Sequence, residues 1–331
     1  MKKIFIILIA CLFVQYSHAQ TVKLLTSGKK ISMRGLSVVD DKTVWVSGSS
    51  GTVGLSTDGG DNWKWITVKG FEKTDFRDIE AFDKKTAVIM GIDTPAVILR
   101  TTDGGETWKV VFEDKTPGMF LDAMDFWDDQ WGYVIGDPIG GRMFLAQTID
   151  GGENWRKMPE ANRPAVDSGE ACFASSGTNI RNRSKSGFAL ITGGKSSHVY
   201  IHNKKLDLPI IQGTESTGAN SIALKDGKSF IVVGGDFNTK DATEKNCAIT
   251  IDGGLTWSVP QIPPHGYRSC IEFLGKEKWI TCGLNGVDYS ADGGKTFTWI
   301  SKDGYHVCRM AKAGKAVYFA GGGGRIGKLE F

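Results

Sequence analysis

The stretch STDGGDNW (Ser56–Trp63) returns as TTDGGETW (Thr101–Trp108), TIDGGENW (Thr148–Trp155), TIDGGLTW (Thr250–Trp257) and, with Phe in place of Trp, SADGGKTF (Ser290–Phe297). Its aspartates, Asp58, Asp103, Asp150, Asp252 and Asp292, stand 45, 47, 102 and 40 residues apart. The gap of 102 is two periods of 51, which places a degenerate unit near Val199 to Leu208. A repeat of this length marks a solenoid, an array or a propeller. Around each turn the apolar pattern is that of short strands, with no helical period.

A second recurring signal counts the units. Seven short apolar strands end in glycine: Val44–Gly48, Ala87–Gly91, Gly132–Gly136, Phe188–Gly193, Phe230–Gly234, Trp279–Gly283 and Val317–Gly321. The seventh unit stops after its third strand, Arg325–Phe331, whereas Thr21–Leu25 forms a strand that precedes the first unit. Pairing the two closes a ring and removes an exposed sheet edge. The expected fold is therefore all-β, a seven-bladed β-propeller of four-stranded blades over residues 20–331, closed by its N-terminal strand. In each turn the aspartate is expected to accept backbone N–H groups while the glycines supply positive φ. One carboxylate per turn does not make a calcium site, so Asp58, Asp103, Asp150, Asp252 and Asp292 read as structural.

The 331 residues carry 40 Lys+Arg against 37 Asp+Glu, a net charge of +3, and 43 glycines. That balance argues against an electrostatic nucleic-acid binder. Residues 1–19 read as a signal peptide: Lys2 and Lys3, an apolar run from Ile4 to Val14, and a small-residue site ending at Ala19. The run is too short to span a bilayer, and no later segment is long and apolar enough to do so. The expectation is an exported, monomeric chain. Beyond the leader lie Cys172, Cys247, Cys270, Cys282 and Cys308, an odd number with no CxxC spacing. Cys270 and Cys282 are symmetric about the Leu274–Lys278 hairpin, which predicts that they face each other across two strands. Buried free thiols are the favoured state there, with a cross-strand disulfide as the alternative.

The five turns resemble the Asp box of bacterial-neuraminidase-repeat propellers. FLDAMDFW (Phe120–Trp127) followed by WGYVIGD (Trp131–Asp137) is similar to the photosystem II assembly and stability factor group. That resemblance implies a non-catalytic chaperone that binds a nascent membrane subunit through an arginine patch, without carrying the photosynthetic partner over to this chain. Sialidases share the turn and supply the enzymatic alternative. Here Ser32-Met33-Arg34-Gly35 stands where their first-blade arginine motif belongs, without its proline, and they close with six blades. GGGRIG (Gly322–Gly327) has the GxGxxG spacing, yet only four residues follow it, too few for a dinucleotide-binding helix. No cofactor is expected.

Propeller geometry collects the loops before the first strands and after the second strands on one face. Arg34, Arg77, Asp122, Glu170, Arg268 and His306 are expected near the starts of six innermost strands, around the channel mouth. Asp93, Asp137, Arg142 and Asp236 follow second strands on the same side. Ligand-binding candidates are Arg34, Arg77, Asp122, Asp137, Arg142, Glu170, Arg268 and His306; Asp122 and Glu170 are candidates for a catalytic carboxylate pair. His198, His202 and His265 read as surface residues, and no metal site is expected. The functional expectation is a binding or assembly module for a protein, peptide or charged ligand, the alternative being a glycan-active enzyme.

Overall fold

The computed structural model describes residues 20–201 and 204–331; the proposed leader, residues 1–19, and His202 lie outside the described residues. Seven antiparallel sheets follow one another around an axis. The first blade runs from the axis outward as Met33–Val38, Val44–Gly48, Thr52–Ser56 and Lys64–Thr67. The second, third, fourth and sixth repeat that order, with innermost strands Phe76–Ala81, Leu121–Phe126, Ile180–Ser184 and Cys270–Phe273. In the seventh blade Thr21–Thr26 pairs antiparallel with Ile326–Glu330 as the outer strand, Val22 opposite Leu329. The closure read from the sequence is thus the one the chain adopts. Among the described residues no helix is long and apolar enough to cross a membrane.

The fifth blade departs from the pattern. Its strands Thr217–Leu224, Phe230–Asp236 and Cys247–Thr250 are extended on the axial side by Gly193–Gly194 and Glu170–Ala171. Outside Cys247–Thr250 its fourth strand shrinks to a single bridge between Ile249 and Ser258. Pro260, Pro263 and Pro264 follow, and proline cannot donate to a ladder.

The Asp-Gly-Gly turns join third to fourth strands. In the first, Asp58 Oδ1 accepts the Asn62 backbone N–H at 2.9 Å and the Ser56 hydroxyl at 2.9 Å, while the Gly60 N–H donates to Ser56 Oγ. The Asn62 N–H and side chain hold the Asp58 carboxyl down to about 2; the Thr107 hydroxyl and the Thr256 hydroxyl do the same for Asp103 and Asp252. The second glycine of each pair has a further reason to be glycine. A Cβ at Gly105 would lie 2.6 Å from Ile66 Cδ1 and one at Gly152 2.7 Å from Val88 Cγ2, both on the preceding blade. The turn is therefore the joint at which one blade presses on the next. Between blades lie the apolar layers, among them Trp45, Ile79, Ile89 and Leu99 between the first and second.

All five described cysteines are buried and free. Cys270 faces Cys282 in register, as the hairpin symmetry predicted.

Candidate functional site

The axial channel expected from the sequence is filled. A 22-residue stretch separates Lys157, the end of the third blade, from Ile180, the first residue of the fourth blade's innermost strand, and residues 174–177 in its last part are reached by arginines of three other innermost strands. Side chains and backbone from six blades converge on it. Arg34 Nη1 donates to the Ser175 carbonyl at 3.5 Å and Arg77 Nη1 to the Ala174 carbonyl at 3.4 Å. Arg309 Nη2 reaches the Ser176 and Gly177 carbonyls at 3.4 and 3.3 Å. Asp137 Oδ1 accepts the Cys172 N–H, Asn220 Oδ1 accepts the Ser175 hydroxyl, and the Ser269 carbonyl accepts the Ser176 hydroxyl. Gly177 has φ +65°, and a Cβ there would lie 2.2 Å from the Asp78 carboxylate. Only glycine passes that point without displacing its neighbour.

Above this plug is a cavity of about 470 Å³. Arg34, Arg77, Asp137 and His306 supply its charged and titratable wall, and Phe120, Phe173, Phe237 and Tyr267 its aromatic one. Local backbone irregularity aims several of these side chains. The pairing of innermost with second strand shifts register between Met33 and Gly35, Phe76 and Asp78, Leu121 and Ala123, and Ala219 and Ser221. The residues at those shifts are Arg34, Arg77, Asp122 and Asn220. A bulge frees one residue from the alternation of the strand and re-aims its side chain.

The two arginines differ. Arg77 is neutralised by Asp75, its Nε 2.9 Å from Asp75 Oδ2. Arg34 forms no ion pair among the described residues; burial and neighbouring Arg77 push its pKa down, although a guanidinium stays charged. Burial, with Arg34, Arg77 and Arg325 close by, drives His306 down to about 3, so its imidazole is neutral at physiological pH. The cavity's unneutralised cation is Arg34.

Four sequence candidates fall outside the cavity lining. Asp122 is completely buried behind it, with neither carboxylate oxygen hydrogen-bonded; burial first, then Asp137, raises its pKa well above the ordinary carboxylate range. Glu170 does not begin an innermost strand; it lies in the short Glu170–Ala171 strand. Its carboxylate accepts from Thr192 Oγ1 at 2.5 Å and Tyr200 OH at 3.0 Å, and contacts His198 Nδ1 at 3.0 Å. Arg268 is fully buried, its Nε 2.7 Å from Asp288 Oδ2, and donates to the Tyr267 carbonyl. Arg142 begins the third blade's third strand, in the hairpin that follows the second, and donates to the Arg163 carbonyl at 2.8 Å. His265 stacks on Trp299 and bonds Asp288. His198, half-buried, brings a ligand atom within 4.8 Å of ligand atoms from Asp167 and Glu170, but Lys205 already occupies Asp167 at 2.7 Å.

The sequence reading missed the plug, Asn220 and all four aromatics. The surplus length ahead of Ile180 was the available signal for the plug.

No protein-family model and no curated protein matches the chain. Among solved structures it is similar to YCF48 bound to D1 peptide, with TM-score 0.64 and 14% identity over 95% of this chain and 97% of that one. YCF48 from Cyanidioschyzon merolae gives TM-score 0.67 and 15% identity over 94% and 99%. The WD40 beta propeller domain of Doa1 gives 0.63 and 16% over 94% and 97%. Likeness at these identities speaks to fold.

Proposed function

We infer that this chain is a non-catalytic binding module, exported through its leader, that takes a peptide segment or other charged ligand in the cavity above the plugged channel. The observation that carries the reading is Arg34: a half-buried guanidinium with no ion pair among the described residues, at the edge of an aromatic-lined cavity. Charge-assisted hydrogen bonds in such surroundings are stronger than neutral ones and select anions. The Arg34 and Arg77 bonds to plug carbonyls are long, at 3.5 and 3.4 Å, so an incoming carboxylate competes against weak acceptors. A related fold, YCF48, has been solved with a peptide bound, which supports a peptide as ligand class. Five box-like turns are consistent with the neuraminidase-repeat resemblance and serve as blade joints, away from this cavity.

Glycan hydrolysis is the weaker reading. It requires two carboxyl groups on opposite sides of one bond. Asp122 lies behind the cavity wall, and Glu170 is engaged by Thr192 and Tyr200.

Selection from a random peptide library, followed by affinity measurement, tests the proposal. Selected peptides are expected to carry a carboxylate, and the Arg34→Ala, Arg77→Ala double variant to bind at least about tenfold more weakly, as loss of charged hydrogen bonds entails. Equal binding by the double variant, or turnover of a glycoside panel by the wild type, would overturn it.

A further inference from the structure

The cavity has a second pole. Asp137 lines the wall and is half-buried. Its Oδ1 accepts the Cys172 N–H at 3.1 Å. Behind it stands Asp122, brought there because Leu121 pairs with Gly136 immediately before the register shift. Asp122 is fully buried and neither of its oxygens has a partner. A buried carboxyl group without a donor is costly, and it calls for a proton or a cation nearby.

The charges that could answer it are accounted for. Arg77 faces Asp122 but is committed to Asp75 and to the plug carbonyl of Ala174. Cys172, the other titratable neighbour, is buried, and its thiol is pushed well above its ordinary range by burial and by Asp122, Asp137 and Glu170. It stays neutral. With Arg77 and Asp75 cancelling, the cavity has one cationic pole, Arg34, and one carboxyl pole, Asp137. Burial pushes the Asp137 carboxyl up against the Cys172 N–H that holds it down, and an ammonium beside it would favour its ionised form. Between them are rings with electron-rich faces.

We propose that the cavity selects a ligand bearing charges of both signs, a carboxylate held by Arg34 and a protonated amine held by Asp137 with Asp122 behind it. This rests on the binding reading above and names its ligand chemistry: a zwitterion such as a short peptide with a free amino terminus. The volume of about 470 Å³ suits one or two residues with an apolar side chain. An ammonium on Asp137 adds a favourable charge pair at the one carboxyl group the wall presents.

Calorimetry with the dipeptide Ala-Phe, its N-acetyl form and its C-terminal amide tests the proposal. The free dipeptide is expected to bind at least about tenfold more tightly than either blocked form, one charged hydrogen bond being lost in each. Asp137→Asn should reduce the free dipeptide to the level of the acetylated one and leave the acetylated one unchanged. Asp122→Asn, at a carboxyl outside the cavity lining, should leave the preference for the free amine unchanged; the comparison of free with acetylated dipeptide on the wild type tests the proposal if Asp137→Asn fails to fold. Equal binding of free and acetylated dipeptide, or no binding of any form, overturns the zwitterion proposal. The broader reading falls separately, if the Arg34, Arg77 double variant keeps its affinity for selected peptides or the wild type turns over a glycoside.

Discussion

Asp122 and Arg34 occupy equivalent bulge positions in two blades and show how one backbone device serves different chemistry. Arg34 reaches the cavity and a plug carbonyl; Asp122 is sealed behind the cavity wall. A carboxyl group whose pKa is raised in the folded state favours folding least where it would otherwise ionise. Its cost is absent below the unfolded value near 4, and it grows as pH rises from there toward the raised folded value. Asp122→Asn should therefore melt like the wild type near pH 4 and above it at pH 7, a difference that thermal scans at several pH values would reveal. A constant difference across that range would show that Asp122 titrates normally. The glycines of the turns make a second residue-scale prediction. Gly105→Ala meets both a positive φ and Ile66 at 2.6 Å, whereas Gly104→Ala meets the φ and nothing nearer than 3.4 Å. Both should destabilise by about 1–3 kcal/mol, Gly105→Ala more, as read from denaturant midpoints.

Strands and loops carried unequal amounts of information in the sequence. Glycine-terminated second strands and Asp-Gly-Gly turns repeat because every blade needs the same turn geometry and the same close approach to its neighbour. Seven blades and the closing strand could be read from them directly. Removing residues 20–26 should lower the melting temperature of the whole ring or produce association through the bared Ile326–Glu330 edge. An unchanged melting temperature with a monomeric profile would contradict the closure. The plug could not be read in this way. It occurs once, so it has no repeat to betray it, and its fit depends on side chains and backbone from six blades. Its weakest allowance is Gly177: Gly177→Ala forces a Cβ against Asp78 at a φ of +65°. That variant should lose stability and peptide affinity together, measurable by melting and by titration, because Arg34 and Arg77 lose the carbonyls that orient them.

On the scale of the molecule, the propeller divides its two faces between different tasks. One face carries the five turns whose aspartates are held ionised by local donors and whose glycines join blades. The other gathers residues of several blades over the plug into a single cavity. Arg34, Arg77, Asp137 and His306 were placed there from strand order alone, because loop position in a propeller follows from strand direction. Arg268 and Glu170 were assigned to the same place for the same reason. They are instead buried in networks with Asp288 and with Thr192, His198 and Tyr200, partners far away in sequence that only the folded chain brings near. Strand order predicts which face a residue occupies; it does not predict whether a neighbour has already claimed it. Amide hydrogen exchange with and without a saturating selected peptide tests most directly which face binds. Slowed exchange at 171–177 and 236–238, with the five Asp-Gly-Gly turns unchanged, is the predicted result; protection confined to those turns would contradict the account.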